Sequence, residues 1–230
     1  MRIKLIASIV NILEYLFNLR VSLYLSSNPD RPLDGDVILD VGANRGSISK
    51  IYSRLFPKTR IIAVEPLQVF KAKSMQIELM NIALSEKSGY EDFFLCKHIP
   101  SSSLKLLNSE SRWYQLKLRI LGVSKENIYE KIRIEVSTLD KIIAQKGIER
   151  VFLLKIDTEG SEFDILKGGL KSLNNRIIQN IQLESQSNDF RQNNSNEIFE
   201  ILESYNFVHV KSMKHYFGSI TEEFFTLSQI

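Results

Sequence analysis

Cysteine is all but missing: Cys96 is the one thiol in 230 residues. A lone thiol excludes an internal disulfide framework and a thiolate zinc site, and it favours a reducing compartment. Charge of one sign is missing as well. Thirty Lys and Arg against 27 Asp and Glu leave +3, which gives no reason to expect nucleic acid as a partner. Nor is there a long apolar run. The uncharged stretch at residues 5–13 is nine residues long before Glu14 and Arg20 interrupt it, whereas a spanning helix needs about twenty. It has the basic start and short apolar stretch of a secretion signal, but no small-x-small cleavage site follows. What the chain does have is 43% hydrophobic and 25% charged residues, enough for one well-buried domain and too apolar for disorder.

Leu5, Ile9, Leu13, Leu16 and Phe17 recur at helical spacing. Residues 1–35 therefore read as a helix and linker, and residues 36–230 as one domain. The helix either packs on the domain or, through residues 1–25, rests on a membrane surface or a partner. The compartment expected is the cytoplasm, including the inner face of its membrane. Beyond the linker, apolar runs of strand type (37–41, 60–65, 76–84, 90–95, 131–136, 151–156, 177–183, 207–213, 224–227) alternate with helical stretches (47–55, 112–121, 138–145, 163–173, 194–205). That alternation predicts an α/β fold with a mostly parallel sheet covered on both faces. Ligands of such sheets bind beyond the carboxyl ends of the central strands.

Unusual residues stand at those ends. Asp40-Val41-Gly42-Ala43-Asn44-Arg45-Gly46-Ser47 joins a strand to a helix, and Gly42 and Gly46 allow a sharp turn. Asn44 and Ser47 stand where a dinucleotide fingerprint needs glycines, and the Gly-Lys-Ser/Thr of a P-loop is absent. Asp40 would repel a pyrophosphate but suits a cation. Adenosylmethionine, with a sulfonium, an ammonium and no phosphate, fits. Glu65-Pro66 ends the next strand, where a carboxylate can accept hydrogen bonds from ribose hydroxyls. The densest cluster is Lys155-Ile156-Asp157-Thr158-Glu159-Gly160-Ser161-Glu162. Helix capping accounts for one or two of its acids. Three together at a sheet edge point to chemistry, with Lys155, a metal or a cationic cofactor to offset their repulsion. Asp157 is the first choice as base or orienter of a hydroxyl, followed by Glu159 and Glu162, with His98 and His215 as alternatives. A divalent metal among Asp157, Glu159, Glu162 and Glu184 is left open.

The segments DVGANRGSIS, VEP, NIAL, SSSL, STLD and LLKIDTEGSEFDILKG, in that order and spacing, resemble the FkbM family of adenosylmethionine-dependent methyltransferases. The resemblance runs from about Asp36 to Glu184. It implies a Rossmann-like, seven-stranded class I methyltransferase fold and O-methylation, typically of a sugar hydroxyl in polysaccharide or glycolipid biosynthesis. It assigns Asp40, Gly42, Ala43, Asn44, Gly46 and Ser47 to the cofactor loop and Glu65 and Pro66 to the ribose. Asn81 and Ala83 fall beside the adenine, and Asp157, Glu159 and Glu162 at the transferred methyl. The stretch at about 97–130, with Trp113, Tyr114 and Tyr129, reads as a substrate-facing insertion for a small-molecule or glycan acceptor. Two other classes stay open at this stage: a nucleotide- or dinucleotide-binding oxidoreductase, and a non-catalytic partner in glycan assembly.

Overall fold

The computed structural model describes residues 2–27, 30–68, 71–72, 74–96, 102–106, 129–186, 194–215 and 220–229. In chain order these form α1 (Arg2–Ser27), β1 (Val37–Val41), α2 (Ser47–Leu55), β2 (Arg60–Val64), β3 (Ile77–Met80), β4 (Ala83–Leu84), β5 (Gly89–Cys96) and β6 (Tyr129–Ser137). There follow α3 (Leu139–Gln145), β7 (Val151–Ile156), α4 (Glu162–Lys167), α5 (Leu170–Asn174), β8 (Ile178–Gln186), α6 (Ser195–Ser204), β9 (Phe207–Lys214) and β10 (Ile220–Leu227).

Seven strands form one sheet in the order β3-β2-β1-β7-β8-β10-β9. Neighbours are parallel from β3 through β8, and β10 alone runs against both of its neighbours. The chain lays strands outward from β1 to β3, then returns to place β7 on the other side of β1. The reversal opens a crevice beyond the carboxyl ends of β1 and β7, which is where such sheets bind ligands. A separate three-stranded sheet, β4-β6-β5, carries the insertion.

Every residue of β1 and β7 is buried, because helices cover both faces. On one face Val37, Leu39 and Val41 pack with Leu139, Ile142, Ile165 and Leu166 of α3 and α4. On the other, Ile38 packs with Tyr52 of α2 and with Phe17, Val21 and Leu25 of α1. So α1 is part of the second core. No helix among the described residues is long and apolar enough to cross a membrane.

Two elements differ from the sequence pattern. The run at 76–84 breaks into β3 and β4, which belong to different sheets. Between them Asn81 leaves the ladder and donates its amide to the Glu65 carbonyl at 3.1 Å. The helix at 163–173 breaks into α4 and α5 at Gly168-Gly169. A side chain on Gly168 would lie 2.4 Å from the Ser85 carbonyl oxygen, and one on Gly169 would lie 2.6 Å from Leu139. Close approach of α4 and α5 to β4 and α3 thus requires the two glycines. The helix expected at 112–121, and with it Trp113 and Tyr114, lies outside the described residues, as does His98.

Candidate active site

The loop after β1 turns on backbone bonds to the neighbouring strand. The N–H groups of Gly42 and Ala43 both donate to the Val64 carbonyl, at 2.9 and 3.2 Å. Gly42 (φ 82°), Asn44 (φ 46°) and Gly46 (φ 68°) are all left-handed. A Cβ on Gly42 would stand 1.8 Å from the carbonyl oxygen of Asp157. The glycine is therefore demanded by the chain's own second loop, before any ligand is considered. Gly46 caps α2, and Ser47 begins it.

Glu65 ties this loop to the next. One carboxylate oxygen accepts the Asn44 N–H at 2.9 Å and the other the Leu67 N–H at 3.0 Å, across Pro66. Asn81 bonds the Glu65 carbonyl from the far side, and Ala83 lies buried in β4 against Val136. Each Glu65 oxygen retains a further lone pair for a hydroxyl. Burial raises the Glu65 carboxyl above its ordinary range, opposed by those two backbone bonds.

Asp40 is wholly buried. Ser49 donates to one of its oxygens at 2.5 Å; the other has no hydrogen-bond partner, and Lys155 Nζ stands 3.9 Å away. With no exposed surface, Asp40 does not offer a ligand ammonium the direct pairing that its place in the motif suggests. It acts from behind the loop, through its field and its hold on α2. Lys155, equally buried, donates to Asp157 at 2.9 Å. Burial works against the Lys155 charge, but Asp157 and Asp40 outweigh it and raise its pKa. Burial raises Asp40. Asp40 and Asp157 each push Glu65 further up. Asp40 and Asp157 flank the one ammonium of Lys155, and the tip adds Glu65 and a half-buried Asn44 whose buried side-chain oxygen is also unpartnered, so acceptors predominate there. A cationic nucleoside fits that donor set. A pyrophosphate does not.

The acidic loop after β7 divides its labour. Asp157 fixes its backbone on the Val41 carbonyl at 3.0 Å and keeps its carboxylate 30% exposed at the crevice. Glu159 (φ 60°) and Gly160 (φ 110°) hold a left-handed turn. Glu162 turns inward: a single carboxylate oxygen accepts the Thr158 N–H at 3.0 Å, the Thr158 hydroxyl at 3.1 Å and the Gly160 N–H at 3.1 Å. Its carboxylate clamps the loop rather than facing an acceptor. Burial raises its pKa against those bonds.

Ser103 belongs to the SSSL segment of the motif series, to which the sequence reading gave no role of its own. Its hydroxyl sits 3.0 and 2.8 Å from the carbonyls of Thr158 and Glu159, while its backbone pairs with Phe94 of β5. Ser103 thus pins the acidic loop to the second sheet; the serine run at 101–103 was the available signal. Glu184 follows Leu183, which pairs with Ile156, so it stands level with Asp157 on the next strand. Of Asp157, Glu159, Glu162 and Glu184, only Glu184 falls into a group of three ligand-bearing side chains within 4.8 Å among the described residues, and its companions are His215 and Glu222.

A strand order that reverses at β1/β7, a glycine turn without the dinucleotide spacing, and an acidic strand tip around a buried lysine define a Rossmann-like fold with its crevice at the tips of β1, β2 and β7. The methyltransferase FkbM domain model matches residues 40–208, and the chain belongs to that family of adenosylmethionine-dependent methyltransferases. It is 26% identical over 185 residues to methyltransferase sdnD of Sordaria araneosa, spanning 70% of this chain and 68% of that protein. It is 26% identical over 144 residues to 2-O-methyltransferase NoeI of Sinorhizobium fredii, spanning 60% of this chain and 58% of NoeI. Among solved structures, Aeropyrum pernix fibrillarin with natively bound S-adenosyl-L-methionine matches at TM-score 0.42 and 11% identity, over 90% of this chain and 73% of that one.

Proposed function

We propose that the chain methylates a hydroxyl oxygen of a sugar or sugar-bearing acceptor. Bound adenosylmethionine supplies a methyl on a sulfonium, open to in-line displacement by that oxygen. The chain's part is to hold the cofactor, place the hydroxyl and receive its proton. In this reading the ribose hydroxyls bond to the free lone pairs of Glu65, and Asn81 and Ala83 stand beside the base. The observation that carries the reading is Asp157. Its partly exposed carboxylate sits at the tip of β7, 2.9 Å from the buried Lys155 ammonium, with its backbone against Gly42. A carboxylate fixed in that way is an acceptor aimed at the crevice, suited to orient a hydroxyl and accept its proton. The 2-O-methyltransferase name of NoeI supports oxygen as the atom methylated. The sugar acceptor, and glycan assembly as its pathway class, rest on the sequence resemblance alone.

The test is transfer of labelled methyl from adenosylmethionine to a panel of mono- and oligosaccharides. Asp157→Asn should hold cofactor affinity within a few-fold and lower turnover by about 10²–10⁴. Near-normal turnover with a lowered melting point would return Asp157 to a purely structural role.

A further inference from the structure

The sheet face beneath α1 carries a line of buried polar groups that methyl transfer does not use. Tyr52 donates its hydroxyl to Gln182 at 2.8 Å, and Gln182 donates its amide to Glu222 at 3.0 Å. Glu222 on β10 stands directly opposite Glu184 on β8. His215, just past β9, completes the group: one ligand atom from each of Glu184, His215 and Glu222 lies within 4.8 Å of the others. Phe17 of α1 stacks over the His215 ring at a centroid distance of 3.6 Å.

His215 Nε2 is buried and has no hydrogen-bond partner. Its nearest carboxylate oxygen, on Glu222, is 3.8 Å away, too far for a hydrogen bond. Two ligands of one cation, bound at about 2.1 Å, stand about 3.0–3.4 Å apart. An ion at the centre of a triangle with 4.8 Å sides would lie about 2.8 Å from each atom, so side-chain shifts of under about 1 Å complete the bonds. We propose that Glu184, His215 and Glu222 form a site for one divalent first-row transition cation, Zn²⁺ above all. Two carboxylates offset its charge. The imidazole selects a borderline cation over Mg²⁺ or Ca²⁺. The Tyr52–Gln182 pair behind Glu222 supplies the outer hydrogen bonds that orient a ligating carboxylate. The cation joins β8, β9 and β10 at the same edge as Asp157. With three protein ligands it keeps an open position.

The site is tested without cofactor or acceptor, so its outcome is independent of the methyl-transfer reading. The full chain is stripped with a chelator and titrated calorimetrically with Zn²⁺, then with Mg²⁺. The expected result is one Zn²⁺ per chain and Mg²⁺ binding at least 100-fold weaker. His215→Gln and Glu184→Gln should each weaken Zn²⁺ at least tenfold, and Asp157→Asn should leave it unchanged. Co²⁺ in place of Zn²⁺ should give visible absorption bands of low coordination number that His215→Gln abolishes. Glu184 is only partly buried, so its variant serves if His215→Gln fails to fold. No saturable Zn²⁺ binding would overturn the site, as would equal affinity in wild type and Glu184→Gln. Loss of binding in Asp157→Asn would overturn it too, by placing the cation in the acidic loop.

Discussion

Gly42 illustrates how a side chain's absence can matter more than its chemistry. Its φ of 82° costs a non-glycine residue about 1–2 kcal/mol, and a methyl there would meet the Asp157 oxygen at 1.8 Å. Gly42→Ala should therefore lower the melting temperature and displace the acidic loop together with the cofactor loop. An unchanged melting curve with intact cofactor binding would contradict the contact. Glu162 makes a pH prediction. Burial raises its carboxyl above the ordinary 4.5, so the folded chain keeps that proton to higher pH than the unfolded one. The stability this group contributes is full below pH 4.5 and is lost as pH rises through the raised value. Glu162→Gln should flatten the fall of urea midpoints above that pH, and parallel curves for wild type and variant would refute it. At this scale the sequence announced which residues matter better than what they do. The spacing of Asp40, Glu65 and Asp157 was readable because each ends an apolar strand. That Asp40 faces inward to Ser49 and Lys155, and that Glu162 folds back on Thr158 and Gly160, depends on rotamers and loop closure that no linear pattern encodes.

Among the elements, α1 is the one whose role the pattern left most open. Leu16, Leu19 and Leu23 are exposed, while Phe17, Val21 and Leu25 are buried against the sheet. The buried set makes α1 a cover for Ile38, Phe224 and Met213, so the packed reading of this helix describes its second half. Phe17→Ala should cost about 3–5 kcal/mol of stability, read from chemical denaturation, and should open His215 to solvent. A loss below about 1 kcal/mol would mean that α1 is not part of the folding unit. Strands such as β1 and β7 were legible to the residue because both faces are buried and the runs are short and closed by glycine or acid. The break between β3 and β4 was not. In the run at 76–84 Asn81 is one polar residue among several, with Gln76 and Glu78, and its tertiary bond to the Glu65 carbonyl is what marks the division. The glycine pair that separates α4 from α5 was visible, but the reason for it, contact with Ser85 and Leu139, belongs to strands and helices distant in sequence.

The whole molecule is a crevice built by topology: a reversal of strand order brings the loops of β1, β2 and β7 to one edge, and a second sheet pins one of them through Ser103. The alternation of strands and helices predicted the main sheet. It could not predict the second sheet, because β4, β5 and β6 pair across a long insertion and one of them has two residues. The central claim at this scale is that the edge binds adenosylmethionine, with Glu65 as the residue that both closes the loops and takes the ribose. It is tested most directly by calorimetric titration of the chain and its Glu65→Ala variant with adenosylmethionine. The account predicts one saturable site in the wild-type chain and a loss of about 1.5–3 kcal/mol, roughly ten- to hundred-fold in affinity, in the variant. Equal affinity in the two proteins, or no saturable binding in the wild type, would contradict it.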